Sequence, residues 1–237
     1  MSVGVVIVAA GPGTRLGAAV PKAFVTVAGR PLLWYAVRSA LLAGPAAVVV
    51  AAPGSHVDDA ITLLEPLSRE HGIPVQVVPG GVERGDSVLV AVRWLPAECD
   101  VVLVHDAARA FAPPELFERV AAAITEVTAA VVPGLPVVDT IKAVDDDGLV
   151  TATLDRDRLR AIQTPQGFRR DVLLAAHAAH GSSATDDAGL VERLGRPVLV
   201  VDGDHAARKI TTPADLQWAG DLHVADPKGT HDAWRTS

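Results

Sequence analysis

Short apolar runs rich in β-branched residues recur along most of the 237-residue chain, and longer segments of helical character separate them. Near-continuous apolar runs of this kind are typical of strands that are buried on both faces. The predicted strands span 3–8, 47–51, 75–78, 101–104, 129–132 and 198–201. The predicted helices between them include 31–42, 57–64, 87–95 and 114–124. Because strands and helices alternate, we expect a three-layer α/β fold with a mostly parallel sheet.

The alternation breaks in the segment from residue 135 to residue 160. Apolar and polar residues alternate there on both sides of the turn sequence Asp145-Asp146-Asp147-Gly148, which predicts a β-hairpin. No obvious helix covers this hairpin in the sequence, so we expect it to project as an arm. A lone two-stranded hairpin is marginally stable in water. The sequence therefore predicts a homodimer in which the arm packs on a partner subunit.

The rest of the chain continues the α/β pattern. A strand-like segment at 160–165 is followed by predicted helices at 170–179, 186–194 and 213–219. The length is typical of one large α/β domain, which we place at residues 1–224. The polar segment 225–237 is predicted to be a frayed C-terminal tail.

Charge and cysteine content narrow the functional classes. The formal net charge of −7 disfavours a protein that coats nucleic acid or binds an anionic membrane surface. No apolar stretch reaches the length of a membrane span. Cys99 is the only cysteine, so an internal disulfide is impossible, and we expect a small buried side chain in a reducing compartment. These observations predict a cytoplasmic protein with neither nucleic acid nor a membrane as its partner.

A glycine-rich turn follows the first predicted strand. It reads Ala9-Ala10-Gly11-Pro12-Gly13-Thr14-Arg15-Leu16-Gly17 and stands where α/β folds bind phosphates through backbone N–H groups. A Walker A loop is excluded because Gly-Lys-Ser/Thr is absent, and the dinucleotide fingerprint is excluded because Leu16 stands at its third glycine. Arg15 and Lys22 would together balance the charge of a triphosphate. The alternative is a tight turn with two solvated cations.

An acidic residue follows the predicted strand 101–104. Asp106 stands where one or two carboxylates hold a Mg²⁺ that bridges phosphates, although an aspartate at this point also caps helices. His105 beside it has the chemistry of a general base, but a structural histidine is the interpretation that we favour.

A second glycine-containing loop, Gly80-Gly81-Val82-Glu83-Arg84-Gly85-Asp86-Ser87, follows the strand 75–78. Its backbone and hydroxyl groups would read the edge of a base; taken alone, it is a loop with a helix cap. Other polar residues are, one by one, typical of a solvated surface. They are Thr140 and Lys142 on the predicted arm, Arg156 on its return, Thr164, Thr185 and Lys209.

Taken in order, these motifs resemble one family. The chain contains AAGPGTRLG, PKAF, GGVERGDSV, VHDAAR, VVDTIK, LDRDRL, QTPQGF, ATDDA and RKIT. From residue 3 to 221 the series resembles the 2-C-methyl-D-erythritol 4-phosphate cytidylyltransferases of non-mevalonate isoprenoid synthesis. Departures are modest: Pro12 stands where the family often has Phe, and Ala110 where it often has Pro.

The resemblance implies a Rossmann-like nucleotidyltransferase fold, a homodimer formed through the arm, and Mg²⁺-dependent transfer of CMP from CTP to 2-C-methyl-D-erythritol 4-phosphate. It implies that Arg15 and Lys22 stabilise the transition state, while Arg156 and Lys209 position the sugar phosphate. The residues implied to contact CTP are Ala9, Ala10, Gly11, Gly13, Gly81, Asp86 and Ser87. Those implied on the metal and acceptor side are Asp106, as metal ligand, Arg109, Thr140, Lys142, Thr164 and Thr185. In this family the arm reaches the neighbouring site, so Arg156, Thr140 and Lys142 would act in trans.

Three other functions stay open on the sequence alone. They are a cytidylyltransferase for another polyol phosphate such as D-ribitol 5-phosphate, an enzyme that transfers a different nucleotide, and a non-catalytic nucleotide sensor. A sensor does not need charged residues for both substrates, yet Arg15, Lys22, Arg156 and Lys209 are present. A phosphate monoester is largely ionised at pH 7, so the proposed chemistry needs cations rather than a general base.

Overall fold

The computed structural model describes residues 1–11, 20–181 and 186–225 of the chain. Its strands are β1 (Ser2–Val8), β2 (Thr26–Val27), β3 (Arg30–Pro31), β4 (Ala47–Ala52), β5 (Val75–Pro79), β6 (Cys99–Asp106), β7 (Ala130–Pro136), β8 (Lys142–Val144), β9 (Val150–Thr153), β10 (Arg160–Ile162), β11 (Gln166–Arg169) and β12 (Leu199–Asp202). Its helices are α1 (Leu32–Leu42), α2 (Val57–His71), α3 (Arg84–Trp94), α4 (Pro114–Ala122), α5 (Arg170–His180), α6 (Asp187–Arg193) and α7 (Pro213–Ala225).

Eight strands of the described chain form one sheet, in the order β10-β7-β11-β6-β1-β4-β5, with β12 also paired to β7. The pairs β1–β4, β1–β6, β4–β5 and β7–β12 are parallel. Strands β10 and β11 run antiparallel to their neighbours. The predicted mostly parallel sheet is therefore confirmed.

Helices cover both faces of this sheet. On β1, Val5 and Ile7 pack into one core layer with Leu33 of α1. Val6, which stands between them, packs into the opposite layer with Val88 of α3. Successive side chains of a strand point to opposite faces, so a continuous apolar run fills two layers at once. This is the three-layer architecture that the sequence predicted.

The strand register brings three strand ends to one edge of the sheet. Val8 at the end of β1 is paired with Ala51 of β4 and with Asp106 of β6. Ala52 of β4 is paired with Pro79 at the end of β5. The loops that follow β1, β5 and β6 therefore leave the sheet side by side, which is where α/β sheets bind ligands.

The predicted arm is a hairpin in which β8 and β9 pair only with each other among the described strands. Gly148 in its turn has a φ of 80°, and its N–H donates to the Asp145 carbonyl at 3.0 Å. Every residue of β9 is exposed, and Val138 before the hairpin is 80% exposed. The prediction of an exposed hairpin is confirmed, and its role in a dimer stays a prediction.

Several elements differ from the prediction: strands β2 and β3 were not predicted, and α2 runs to His71 instead of residue 64. Strand β11 was not predicted because its sequence, QGFR, is not an apolar run. Phe168 is nevertheless fully buried, and a Cβ on Gly167 would lie 2.7 Å from Val120 of α4. Helix α7 extends beyond residue 219 to Ala225.

Within the described ranges, no helix has the length and apolar character to cross a bilayer. Cys99 is free and buried, as expected, and residues 226–237 of the predicted tail lie outside the described ones.

Candidate active site

A cavity of about 310 Å³ opens at the edge of the sheet where β1, β5 and β6 end. Among the described residues, its lining consists of Val8, Ala9, Ala10, Gly11, Lys22, Ala23, Gly81, Val82, Glu83, Arg84, Ser87, Asp106, Ala107, Ala108 and Lys209. Eight of the residues that the sequence singled out therefore lie together. They are Ala9, Ala10, Gly11, Lys22, Gly81, Ser87, Asp106 and Lys209.

The loop between β5 and α3 approaches the loop after β1 so closely that only glycine fits. A Cβ on Gly80 would lie 2.4 Å from the Cβ of Ala10, and a Cβ on Gly81 would lie 2.3 Å from the Cβ of Asp86. The N–H of Gly80 donates to the carbonyl of Ala52 at 2.8 Å, which extends the β4–β5 pairing. Small residues on both loops leave their backbone accessible to a ligand.

Ser87 and Asp86 fasten this loop to the first turn of α3. The Oγ of Ser87 accepts the N–H of Gly81 at 3.1 Å and donates to the Glu83 carbonyl at 3.2 Å. Asp86 accepts the N–H of Glu83 at 3.1 Å, in a reciprocal capping box. Ser87 lines the cavity, whereas Asp86 is outside its described lining. The structure thus places Asp86 where its carboxylate shapes the loop.

Asp106, the last residue of β6, is a mostly buried carboxylate between two cations. The Nζ of Lys209 donates to its Oδ2 at 2.7 Å, and the Nε of Arg84 donates to its Oδ1 at 3.2 Å. Burial alone would raise the pKa of Asp106, but the charges of Arg84 and Lys209 outweigh it and hold that pKa well below its usual range. Asp106 is therefore ionised at neutral pH.

His105 takes part in a hydrogen-bonded chain under the cavity. The N–H of Asp106 donates to the Oγ1 of Thr164 at 3.0 Å, the Thr164 hydroxyl lies 3.1 Å from Nδ1 of His105, and Nε2 lies 3.2 Å from the Arg109 carbonyl. Because a carbonyl oxygen only accepts, Nε2 carries the ring proton, and Nδ1 accepts the hydrogen bond from the Thr164 hydroxyl. Burial lowers the pKa of His105 to about 4, so the ring is neutral at pH 7. This geometry supports the structural interpretation of His105 and gives Thr164 a positioning role.

Arg109 lies outside the described lining and ties the segment before Lys209 to the sheet edge. Its guanidinium donates to the carbonyls of Ala207 at 2.8 Å and Ile162 at 3.1 Å. The N–H of Ile210 donates to the carbonyl of Ala108 at 2.8 Å. These contacts fix the position of Lys209 relative to β6.

The predicted arm residues stand apart from the cavity of their own chain. Lys142 donates to the hydroxyl of Thr153 at 2.6 Å within the hairpin, and Arg156 donates to the Val138 carbonyl at 2.7 Å. Thr140 is exposed. None of the three belongs to the described lining. Three further predicted residues, Gly13, Arg15 and Thr185, lie outside the described residues.

The protein groups at this edge would not hold a metal ion alone. In the part of the chain that the structure describes, no three His, Cys, Asp or Glu side chains are grouped as metal ligands. Asp106 would contribute one or two oxygens. Mg²⁺ is commonly held by one or two carboxylates together with substrate phosphates, so this donor set fits a Mg²⁺ that arrives with a triphosphate.

The family model described as 2-C-methyl-D-erythritol 4-phosphate cytidylyltransferase matches residues 3–222. The chain belongs to this cytidylyltransferase family. A relative of the same name from Nocardia farcinica is 51% identical over 222 residues, which cover 93% of this chain and 94% of the relative. Another, from Saccharopolyspora erythraea, is 54% identical over 221 residues, which cover 91% of this chain and 96% of the relative.

Solved structures of the cytidylyltransferase family share the fold. The 4-diphosphocytidyl-2C-methyl-D-erythritol synthase of Anaerococcus prevotii superposes with a TM-score of 0.80 at 29% identity, over 93% of this chain and 97% of that one. The 2-C-methyl-D-erythritol 4-phosphate cytidylyltransferase of Thermus thermophilus gives 0.72 at 38% identity, over 94% and 98%. The predicted fold class and family resemblance are confirmed.

One residue of the cytidylyltransferase site was missed by the sequence analysis. Arg84 is the first residue of α3, at the end of the glycine-containing loop after β5, for which the sequence predicted only backbone and hydroxyl contacts. It lines the cavity and contacts Asp106, so the described lining contains three cations, Arg84, Lys22 and Lys209. The available signal was a basic residue in a glycine-containing loop at the carboxyl end of a parallel strand.

Proposed function

We propose that this chain transfers CMP from CTP to 2-C-methyl-D-erythritol 4-phosphate, giving 4-diphosphocytidyl-2-C-methyl-D-erythritol and pyrophosphate. The observation that carries the proposal is a cavity in which glycine-rich backbone, three cations and one ionised carboxylate meet at the carboxyl ends of parallel strands. Such a cavity favours phosphate-bearing ligands. The acceptor is proposed from the names of the relatives.

The reaction joins two anions and needs no proton to be removed from the nucleophile. An oxygen of the acceptor phosphate, largely ionised at pH 7, forms a bond to the α-phosphorus of CTP while the bond to pyrophosphate breaks. The neutral ring of His105 agrees with this, because both its nitrogens are engaged and the ring is outside the described lining. The protein therefore contributes positioning and positive charge.

Individual roles follow from position. Lys22, in the lining beside the loop after β1, is proposed to stabilise charge on the transferring phosphate, together with Arg15. Lys209, which contacts Asp106, is proposed to hold the acceptor phosphate with Arg156 of the partner subunit. Ala9, Ala10, Gly11, Gly81 and Ser87 are proposed to bind CTP, with Gly13 and Asp86. Arg109, Thr140, Lys142, Thr164 and Thr185 are proposed to support the acceptor side.

The cofactor, the assembly and the location are parts of the same proposal. Mg²⁺ would be held by Asp106 and substrate phosphates, and the chemistry it would supply is neutralisation of phosphate charge. A homodimer through the exposed arm would bring Arg156 to the neighbouring cavity. A cytoplasmic location is supported by Cys99, which is a free thiol.

Pyrophosphate release from CTP with Mg²⁺ tests the proposal, with 2-C-methyl-D-erythritol 4-phosphate and D-ribitol 5-phosphate compared in parallel. A strong preference for the erythritol, with the diphosphocytidyl product detected by mass spectrometry, is the expected result. Preference for ribitol would change the acceptor and keep the reaction, and preference for UTP or GTP would change the donor. Binding of CTP without turnover of either acceptor would point to a nucleotide sensor.

A further inference from the structure

The guanidinium of Arg84 joins the cavity to a carboxylate buried outside it. Its Nε donates to Asp106 at 3.2 Å, and its Nη1 donates to Asp187 at 2.5 Å. Asp187 is the first residue of α6, 103 residues further along the chain, and is not part of the described lining. One side chain therefore couples the end of β6 to the start of α6.

Asp187 is fixed on its other side by His177 of α5. The Nε2 of His177 lies 3.0 Å from Oδ1 of Asp187, and the two side chains are 0% and 1% exposed. The other ring nitrogen, Nδ1, is buried and has no hydrogen-bond partner among the described residues. A carboxylate oxygen accepts, so Nε2 of His177 is the donor to Asp187. Arg84 pairs with the other oxygen of that carboxylate.

The charges of the pair are mutually stabilised. Burial alone would raise the pKa of Asp187, but the hydrogen bond from His177 and the charge of Arg84 leave that pKa below its usual value. Burial alone would lower the pKa of Arg84, but Asp187 and Asp106 outweigh it and leave it raised. Removing one partner of such a pair leaves an uncompensated charge in a largely buried place.

Arg84 and Lys209 differ in how firmly each is held at Asp106. The side chain of Arg84 is 27% exposed and is anchored by a second carboxylate. The side chain of Lys209 is 42% exposed, and Asp106 is the carboxylate that it contacts. A phosphate that enters the cavity would therefore draw Lys209 from Asp106 more easily than Arg84, because the Arg84 guanidinium is also held by Asp187.

We propose that Asp187, held by His177, is a positioning residue that locks Arg84 onto Asp106, so that Arg84 stays as the counter-ion of Asp106 while Lys209 turns to the phosphate of the substrate. This rests on the proposed function, because Lys209 has a phosphate to engage only if the chain takes phosphorylated substrates. Without Asp187, Arg84 is free to leave Asp106, and Lys209 is then retained as its counter-ion.

Steady-state kinetics of Asp187→Asn test the consequence for turnover. We expect kcat to fall at least about tenfold and KM for the acceptor to rise, while KM for CTP changes less than about threefold, because Lys209 is proposed to hold the acceptor phosphate. Arg84→Lys, which cannot bridge both carboxylates, should cause a similar loss of kcat, and the double variant should lose little more kcat than either single one.

Asp171→Asn is the matched control: it breaks the exposed Arg169–Asp171 pair and should leave kcat unchanged. His177→Gln, which keeps a donor, should retain more of kcat than His177→Leu.

A second measurement needs no substrate. In protein labelled with ¹⁵N-arginine, the Nε–H signal of Arg84 is assigned by its loss in Arg84→Lys. The Nε–H proton of Arg84 should exchange slowly with water in the wild type and in Asp171→Asn. In Asp187→Asn the exchange should be at least about tenfold faster, because one anchor of the guanidinium is lost. If Asp187→Asn does not fold, His177→Leu takes its place, and we expect smaller changes in both kcat and the Nε–H exchange rate of Arg84.

The outcomes separate the two proposals. Equal rates of Nε–H exchange at Arg84 in the wild type and in Asp187→Asn overturn the positioning role of Asp187. An unchanged kcat in Asp187→Asn, when the wild type is active, also overturns it. A wild type that transfers no CMP, but whose Arg84 exchange responds to Asp187, overturns the proposed function and the role of Lys209, and keeps the anchoring of Arg84.

Discussion

The Nζ of Lys209 lies 2.7 Å from Oδ2 of Asp106, although 103 residues separate them in the chain. This contact joins the cation proposed for the acceptor phosphate to the carboxylate proposed for the metal. The backbone around Lys209 holds it there, since the next residue, Ile210, donates its N–H to Ala108 at 2.8 Å. The geometry of the site therefore depends on the segment that carries Lys209.

Asp215 fixes that segment. Its Oδ2 accepts the N–H groups of Thr211 and Thr212 at 2.9 Å each and both of their hydroxyls, and Arg208 pairs with its other oxygen. Asp215→Ala leaves these partly buried donors without their shared acceptor, which should destabilise the fold by about 1–3 kcal/mol and displace Lys209. We expect KM for the acceptor to rise at least about tenfold while KM for CTP stays nearly constant, as measured by varying each substrate in turn. Asp59→Ala, at an exposed aspartate of α2, is the control. Equal effects on both KM values would contradict the prediction.

The fold was largely predictable because most of the buried strands carry their own apolar runs. The proximity of Asp106 to the loop after β1 was also predictable, since neighbouring parallel strands end at the same edge of a sheet. Strand β11 was not, because Phe168 is its lone large apolar residue and the fit of Gly167 against Val120 appears only in the packed structure.

The links between distant polar residues were beyond the reach of the sequence. Arg84 and Asp187 each stand at a helix start. The helix dipole gives an ordinary local explanation for the acidic Asp187, but it gives none for Arg84, because it favours negative charge at that end. Their ion pair results from the packing of α3, α5 and α6 on the same face of the sheet. Arm residues such as Arg156 show a further limit, since the described cavity of one chain does not include them.

Gly81→Ala should weaken nucleotide binding. The new Cβ would lie 2.3 Å from the Cβ of Asp86, so the loop between β5 and α3 has to move, and with it the N–H of Gly81 that donates to Ser87. We expect KM for CTP to rise at least about tenfold, with a smaller change in KM for the acceptor. Gly54→Ala is the matched control, since nothing lies within 4 Å of its added Cβ. An unaltered KM for CTP in Gly81→Ala would remove this loop from the nucleotide site.

His105 should make the fold sensitive to acid. Burial lowers the pKa of His105 from 6.5 to about 4, so the unfolded chain binds this proton more readily than the folded one. The stability contribution of the neutral ring is therefore present above pH 6.5 and is lost as the pH falls toward 4, by about 3 kcal/mol in all. Urea unfolding of the wild type and of His105→Gln, measured across this range, checks it. The variant should lack this part of the pH dependence. Identical slopes of the free energy of unfolding against pH in both proteins would contradict its assignment to His105.

Lys22→Ala should lower kcat by at least about a hundredfold, in line with the loss of one cation aimed at charge that develops in the transition state. The side chain lies in the lining of the cavity, so the effect should exceed that of any surface charge. Arg69→Ala provides the comparison, because it removes an exposed cation paired with Glu65 on α2. A near-normal kcat in Lys22→Ala would remove Lys22 from the mechanism.

Complementation between two inactive variants should reveal whether the arm acts on a neighbouring subunit. Arg156 lies on the arm and outside the described lining of its own cavity, whereas Lys22 lies within that lining. If the arm serves the partner's cavity, a hybrid of one Arg156→Ala and one Lys22→Ala subunit has one site with both residues intact. Subunits mixed in equal amounts under dissociating conditions and reassembled should then recover about a quarter of the wild-type activity, since half of the dimers are hybrids with one working site each. Sedimentation of each sample shows whether dimers have formed. Dimers without any recovery would mean that Arg156 serves the cavity of its own chain.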